Sequence, residues 1–324
     1  MVRILSESAV RDCLSLSELL PVVREAFEKQ GRGEVERPER PHFPVGAGLD
    51  DPDPNGTGLV MAAYLHGANY YATKLVGVFE GNAQRGLPTV NAQIALTTAD
   101  TGLPVGYLEG TRITNARTGC IGGLAATELA LDGPVTLAIL GAGTQARWQA
   151  RAIAAATEVE SVRVYSPSDS KASCAADLRD EGIQAEAVDS PKTAVSGATV
   201  VVTATTSEEP VFSGADLEPG TLVVAIGAYT AEMRELDATT FDRASRVFAD
   251  VPEEVAEIGD VLDADVEADE LFTFSSALEG EIGRENDDEI LVVESVGSAV
   301  LDAAVAEHVF ERAKEAGVGT EVEL

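Results

Sequence analysis

Between residues 135 and 228 the chain alternates short apolar runs with helical or polar spacers. VTLAIL at 135–140 is apolar or β-branched and free of turn residues, the pattern of a strand buried on both faces. SVRVY at 161–165, ATVVVTAT at 198–205 and GTLVVAIGA at 220–228 repeat that pattern. Strands alternating with helices predict a parallel sheet covered on both sides.

Ahead of this region the pattern changes. Residues 2–5 fit a short strand, and Ser17 is expected to cap the amphipathic helix LSELLPVVREAFEKQ, with Leu19, Leu20, Val23 and Phe27 on one face and Gly31 as its stop. GEVERPERPHFPVGAG is proline-rich and extended. A polar loop follows at 50–58. LVMAAYL, YYATKLVGVF and PTVNAQIALTT are then separated by Gly and Asn turns, predicting a mostly antiparallel sheet, with TADTGLPVG turning between two further strands. A helical pattern from Ile113 to Leu131 leads into the parallel region.

Beyond that region, ADVPEEVAEIGDVLDADVEADELF is acidic enough to read as solvated helix and loop. A short strand precedes a long helix expected from Ser295 to Ala316, with Leu301, Val305, Val309 and Phe310 on its apolar face. The expected architecture is α/β. A Rossmann-type doubly wound parallel sheet spans residues 119–299. An N-terminal α+β substrate and dimerisation domain spans residues 1–118 and is completed by the C-terminal helix, residues 300–324.

The first parallel strand ends at Gly141-Ala142-Gly143, and Thr144 and Gln145 open a helix reaching Ala156. A strand, a tight Gly-x-Gly turn and a helix start form a phosphate cradle, because the helix's orphan N–H groups and dipole favour a pyrophosphate. Ala146 replaces the third glycine of the fingerprint with another small residue. The other strands make an ordinary strand–helix connection the weaker account, and a dinucleotide cofactor is expected.

Composition narrows the partners. The 324 residues carry 55 acids against 23 basic residues, for a net charge of −32. Such a surface repels nucleic acid and anionic membranes. Hydrophobic content of 45% and scattered acids argue against disorder. Acid excess with only five lysines (29, 74, 171, 192 and 314) resembles a chain adapted to molar salt, where repulsion is screened. Cys13, Cys120 and Cys174 share no metal or disulfide spacing and read as reduced core residues. No signal peptide or membrane-length apolar run is evident, so a soluble, cytoplasmic protein is expected.

Several ordered motifs together are similar to one family. They are the Pro-x-Arg segment at Arg40, ATKLVGVFEGN around Lys74, GLPTVNAQIAL, ITNARTGCIGGLAA, GAGTQA, IGAYTAEMRELD and DDEILVVESVGSAVLD. The chain resembles the ornithine cyclodeaminase/mu-crystallin family, including its archaeal alanine dehydrogenase and ketimine reductase branch, over essentially its whole length.

The chemistry of such substrates suits the residues. An amino, imino or 2-oxo acid presents a carboxylate that a planar arginine fork binds bidentately. Arg40 and Arg117 are the candidates, with a surface ion pair as the plain alternative for Arg40. The resemblance places Arg117 between substrate and cofactor. Lys74 is retained inside a β-rich run, where burial would depress its pKa and suit it to acid–base work. A lysine blunting an edge strand is the alternative. By resemblance Lys74 binds the substrate carboxylate or protonates the carbonyl or imine. The resemblance also implies cofactor contacts at Thr89 and Ser295, while Thr205, Gly227 and Ala228 stand at strand ends where dinucleotides lie.

Two departures shape the reading. Where the cyclodeaminase pattern has a water-activating aspartate, this chain has Tyr229, and Asp237 is expected instead to begin the next helix. Cyclodeaminase chemistry thereby loses its base. At the end of the second strand, Ser166 and Ser168 stand where an acid would grip the NAD ribose, with Lys171 a turn later. The balance favours NADP over NAD, with Asp169 counting against it.

The reading is an NAD(P)-dependent oxidoreductase interconverting a small amino acid and its 2-oxo or imino acid. It is expected to be a homodimer through the N-terminal domain, with no metal. Ornithine cyclodeaminase is the alternative enzyme, and a non-catalytic NADP(H)-binding crystallin-like protein the alternative of another class.

Overall fold

The computed structural model describes residues 1–49 and 52–323, so residues 50 and 51 of the polar loop lie outside the described residues. The chain divides into two compact units, Met1–Arg117 with Ala299–Leu324, and Thr118–Ser298.

The first unit opens with β1 (Val2–Leu5), α1 (Glu7–Asp12) and α2 (Leu16–Gly31). Helix α1 is too short to show a period and is set by Ser6, whose Oγ accepts from Ala9 N. The start of α2 corrects the expected cap. The N-cap is Ser15, whose carbonyl accepts from Glu18 N and Leu19 N, so Ser17 falls within the first turn. The proline-rich segment supplies β2 (Val35–Glu36) and β3 (His42–Val45), both paired antiparallel with β4 (Gly56–Leu65). β5 (Tyr70–Val78), β6 (Val90–Thr98) and β7 (Pro104–Glu109) continue as an antiparallel meander.

Helix α3 (Thr111–Leu129) starts and stops two residues earlier than its pattern predicts. The Glu109 carboxylate sets the start by accepting from Thr111 N at 2.6 Å and Arg112 N at 3.0 Å.

In the second unit, β8 (Val135–Leu140), α4 (Thr144–Ala156), β9 (Val159–Tyr165), α5 (Ser170–Asp180), β10 (Ala185–Ala187), α6 (Pro191–Val195), β11 (Val200–Thr203) and β12 (Leu222–Ala225) follow in order. Then come α7 (Ala238–Arg243), β13 (Ala244–Ala249), α8 (Pro252–Val255), α9 (Gly259–Asp263), β14 (Phe272–Thr273), α10 (Phe274–Leu278) and β15 (Ile290–Glu294). The sheet order is β10-β9-β8-β11-β12-β15-β13-β14, parallel throughout. Strand order reverses on either side of β8, the switch point at which doubly wound sheets open a crevice.

The acidic stretch after β13 is not simply solvated. Val255, Ile258 and Val261 are buried, and so are Asp250 and Asp260. Those two carboxylates accept backbone N–H groups, from Val296 and Gly297 for Asp250, and from Glu235 and Leu236 for Asp260.

The chain then returns to the first unit as α11 (Ala299–Ala316) and β16 (Thr320–Val322). Helix α11 begins at Ala299 rather than Ser295, because Gly297 takes a φ of 80° and the segment turns in to bond Asp250. The four apolar residues expected on its face are buried. Strand β16 pairs with β1, completing the order β16-β1-β7-β6-β5-β4-β2 with β3 beside β4. Helices α2 and α11 pack on each other, and α11 lies along β4 and β5. Among the described residues, no helix is long and apolar enough to cross a membrane.

Candidate functional site

Each unit carries one cluster of chemistry. In the first, Lys74 lies on β5 between Met61 of β4 and Ile94 of β6, pointing to the helix-covered face and only 2% exposed. It meets Asp302, in the first turn of α11, at 2.5 Å. Arg117 of α3 reaches the other oxygen of Asp302 through Nε at 3.3 Å. Thr114, one turn earlier on α3, donates to Asp302 at 3.3 Å and accepts from Lys74 at 3.3 Å. Two cations are thus buried around a single carboxylate.

Burial lowers the Lys74 pKa to about 8 against the pull of Asp302, while Arg117 and Arg40 push the same way as burial. Burial also works to raise Asp302, but the Arg117 and Lys74 charges override it and hold that carboxyl below its ordinary range. Arg40, half-buried between β2 and β3, is therefore close enough to act on Lys74. Three of the residues singled out from the sequence converge here: Arg40, Lys74 and Arg117. Thr89 stands apart as the exposed residue before β6, its carbonyl taken by Phe79 N at 2.8 Å.

The second cluster lies at the carboxyl ends of the parallel strands. Gly141, with a φ of 116°, ends β8, and a Cβ there would sit 2.4 Å from the Ala204 carbonyl oxygen. Gly143 is the N-cap of the 13-residue helix α4, which no side chain caps, and it faces open space. Thr144 is exposed beside it and Gln145 half-buried. A glycine turn with an uncapped helix start fits a pyrophosphate. Arg147 steadies this turn by donating to the Ala142 and Gly143 carbonyls at 2.6 and 3.1 Å, with its other edge on Asp177.

Past β9, Ser166 is buried, with its Oγ 3.3 Å from that of Ser168 and 3.4 Å from that of Ser170. The Lys171 ammonium sits 5.4 Å from the Tyr165 ring centroid and 3.5 Å from Asp189. This end of the crevice therefore offers hydroxyls and a cation.

At the other end, Glu235 holds the strand ends together. It accepts from Thr203 Oγ1 at 2.8 Å, from Thr205 N and Oγ1 at 2.6 and 2.8 Å, and from Gly227 N at 2.7 Å. Ala228 is buried in the core. Tyr229 is exposed, and Asp237 caps α7 through Thr240 N. Ser295 does not stand at a helix mouth. It is buried and donates to Asp250 at 2.6 Å.

Asp302, Arg147 and Glu235 were not identified from the sequence. Asp302 had a signal, an acid three and seven residues before Val305 and Val309 on an apolar helix face. Arg147 had one as well, a cation in a helix's first turn, where the dipole disfavours it. Glu235 is indistinguishable among so many acids.

Comparison with known proteins identifies the family. The ornithine cyclodeaminase/mu-crystallin family matches residues 2–317. A Δ1-pyrroline-2-carboxylate reductase of Bacillus cereus is 32% identical over 332 residues, covering 99% of each chain. The solved structure of Thermococcus litoralis Δ1-pyrroline-2-carboxylate reductase in complex with NADH and L-proline superposes with a TM-score of 0.93 at 32% identity, over 99% of this chain and 100% of that one. An archaeal alanine dehydrogenase dimer with bound NAD superposes with a TM-score of 0.91 at 29% identity, over 100% of this chain and 99% of that one. The chain belongs to the ornithine cyclodeaminase/mu-crystallin family.

Proposed function

We propose that the protein is an NAD(P)-dependent oxidoreductase that interconverts a small amino acid with its imino or 2-oxo acid. A cyclic imine such as Δ1-pyrroline-2-carboxylate is the first substrate to try. The observation that carries this reading is the buried Lys74–Asp302–Arg117 cluster with Arg40 beside it. The arginines receive the substrate carboxylate, and Arg117 is held for that task by Asp302. Lys74, charged at neutral pH yet close to losing its proton, donates at the substrate's nitrogen or oxygen during reduction and takes the proton back during oxidation. The cofactor supplies hydride to the α-carbon.

Tyr229 disfavours ornithine cyclisation, since no carboxylate stands at that position to activate water. A purely binding role sits poorly with a buried lysine and arginine that are costly to keep. Ser166, Ser168 and Lys171 support a preference for NADP(H) over NAD(H). A homodimer is supported by the sheet face opposite α2 and α11. Its outward positions include exposed Ile4, Tyr71, Leu75 and Tyr107, and its one central charge, Glu109, is occupied in capping α3. Exposed Glu36 stands at the β2 edge of the same face, beside His66 at 3.0 Å, and an apolar centre of this kind in a chain of net charge −32 suits a second copy of itself.

The test is a spectrophotometric screen in molar salt with NADH and NADPH. It covers cyclic imines, and 2-oxo acids with ammonium or methylamine. Turnover on one of these classes is expected, and cofactor binding without turnover on any of them would contradict the proposal.

A further inference from the structure

We propose that Glu235 is the positioning residue for the nicotinamide half of the cofactor, its carboxylate tying the loops after β11 and β12 into one wall of the crevice. The inference rests on the cofactor reading above. With the pyrophosphate turn after β8 and the adenosine end beside β9, the other half of a dinucleotide lies over β11 and β12.

Thr205 lies past the end of β11 and Gly227 past the end of β12. Main-chain bonds join the two segments on either side of this point, Ile226 N to the Thr203 carbonyl at 3.0 Å, Arg234 N to that of Ser207 at 2.7 Å and Val211 N to that of Glu235 at 2.8 Å, and at Thr205 and Gly227 the link is the Glu235 side chain. Four donors converge on it, two on each oxygen: Thr205 N and Oγ1 on Oε1, and Thr203 Oγ1 and Gly227 N on Oε2. Only an ionised carboxylate accepts all four. The fit leaves no slack, because a Cβ on Gly227 would lie 2.2 Å from the Thr205 carbonyl oxygen and 2.6 Å from Glu235 Oε1. From behind, Asp260 of α9 fixes the Glu235 backbone by accepting from Glu235 N at 2.6 Å and Leu236 N at 2.9 Å.

The charges facing Glu235 are nearly all of its own sign. Asp260 comes from α9, Glu294 from the end of β15, and Asp250 lies beyond Glu294 after β13. Arg234 is the neighbouring cation, and it is paired with Asp263 at 2.9 Å. Burial pushes Glu235 up to about 7 against its donors from Thr205, Thr203 and Gly227, and Asp260 adds to the rise. Glu294, fully buried beside three acids and with its Oε1 lacking a hydrogen-bond partner among the described residues, is driven well above the ordinary range by that burial and by the like charges of Asp260, Glu235 and Asp250.

Protonating Glu235 turns one acceptor into a donor, so the hydroxyl of Thr203 or Thr205 must turn to accept and the fourfold clamp on Thr205 and Gly227 is broken, which loosens the cofactor's seat. The same event favours the fold. The native carboxyl titrates above its unfolded value, so this group's contribution to stability grows as pH falls through about 7 toward the ordinary carboxyl range. Affinity and stability therefore move in opposite directions, which a merely structural residue would not cause.

The experiment is a fluorescence titration of the full-length protein with NADH across about pH 5.5 to 9 in molar KCl. NADH is used because the 2′-phosphate of NADPH titrates near 6 itself. The dissociation constant is expected to rise about tenfold per pH unit once the pH is well below the inflection. Glu235→Gln is expected to bind weakly and without this slope. Thr203→Val removes one donor to the carboxylate and is expected to move the inflection upward. A flat wild-type profile, an unmoved inflection in Thr203→Val, or a Glu235→Gln protein with the wild-type slope would overturn the proposal. Should Glu235→Gln fail to fold, the wild-type slope and the Thr203→Val inflection decide it. A wild type that binds no NADH at any pH overturns the cofactor reading and this inference with it.

Discussion

The Lys74–Asp302 pair concentrates the argument at single residues. A lysine and an aspartate, each 2% exposed at the side chain, sit 2.5 Å apart with Arg117 on the far oxygen. Removing the anion leaves two buried cations facing each other, a loss of about 3–5 kcal/mol of stability by analogy with other broken buried pairs. Asp302→Asn is therefore expected to lower the melting temperature sharply. In whatever fraction folds, Lys74 should titrate below about 8, because the attraction that opposes burial is gone.

In the wild type the sign is set by which form of Lys74 does the work. Reduction uses the charged form and should decline above about pH 8, whereas oxidation uses the neutral form and should rise through the same range. Rate–pH profiles in both directions check this, and parallel profiles would speak against Lys74 as the proton donor. Lys74 and Arg117 were legible in the sequence because a rare lysine in a strand and an arginine in a small-residue helix are conspicuous. Asp302 was not, since one acid on an apolar helix face is lost among 55.

At the scale of elements, the site depends on turns tuned to close approach. Gly227 is the tightest, and Gly227→Ala forces a methyl against the Thr205 carbonyl. Overpacking of this kind costs about 1–3 kcal/mol. The variant is expected to bind NADH at least about tenfold more weakly, because the loops after β11 and β12 must part, with each 1.4 kcal/mol lost from binding worth a factor of ten. Unchanged affinity in equilibrium titration would show that those loops do not shape the seat.

The parallel strands were readable because strands buried on both faces are continuously apolar, and the glycine turn because it interrupts one. Three features escaped for physical reasons. Helix α1 is six residues long and owes its start to one serine. Strand β16 exists through pairing with β1 at the opposite end of the chain, which no local pattern records. The start of α11 was misplaced because Ser295–Ser298 resembles a helix entrance, while its hydrogen bonds run inward to Asp250.

For the whole molecule, charge is the dominant fact. At net −32, self-repulsion opposes both the compact state and self-association. Screening shortens from about 10 Å at 0.1 M salt to about 3 Å at 1 M. Light scattering should accordingly show a dimer in molar KCl and dissociation as salt is lowered. Leu75→Glu, on the exposed sheet face, should remain monomeric throughout. A wild-type monomer in molar KCl would contradict the proposed role of that face. The acid excess was plain in composition, but not that four of the acids, Glu235, Asp250, Asp260 and Glu294, are buried in the second unit.

The most direct test of the central claim is stoichiometric. Wild-type protein in molar KCl is given Δ1-pyrroline-2-carboxylate with reduced cofactor, or ornithine with oxidised cofactor, while the nicotinamide absorbance and free ammonia are followed together. The account predicts one reduced nicotinamide consumed per imine reduced, and no ammonia from ornithine. Ammonia released from ornithine with no net change in nicotinamide absorbance, and an inert imine, would contradict it.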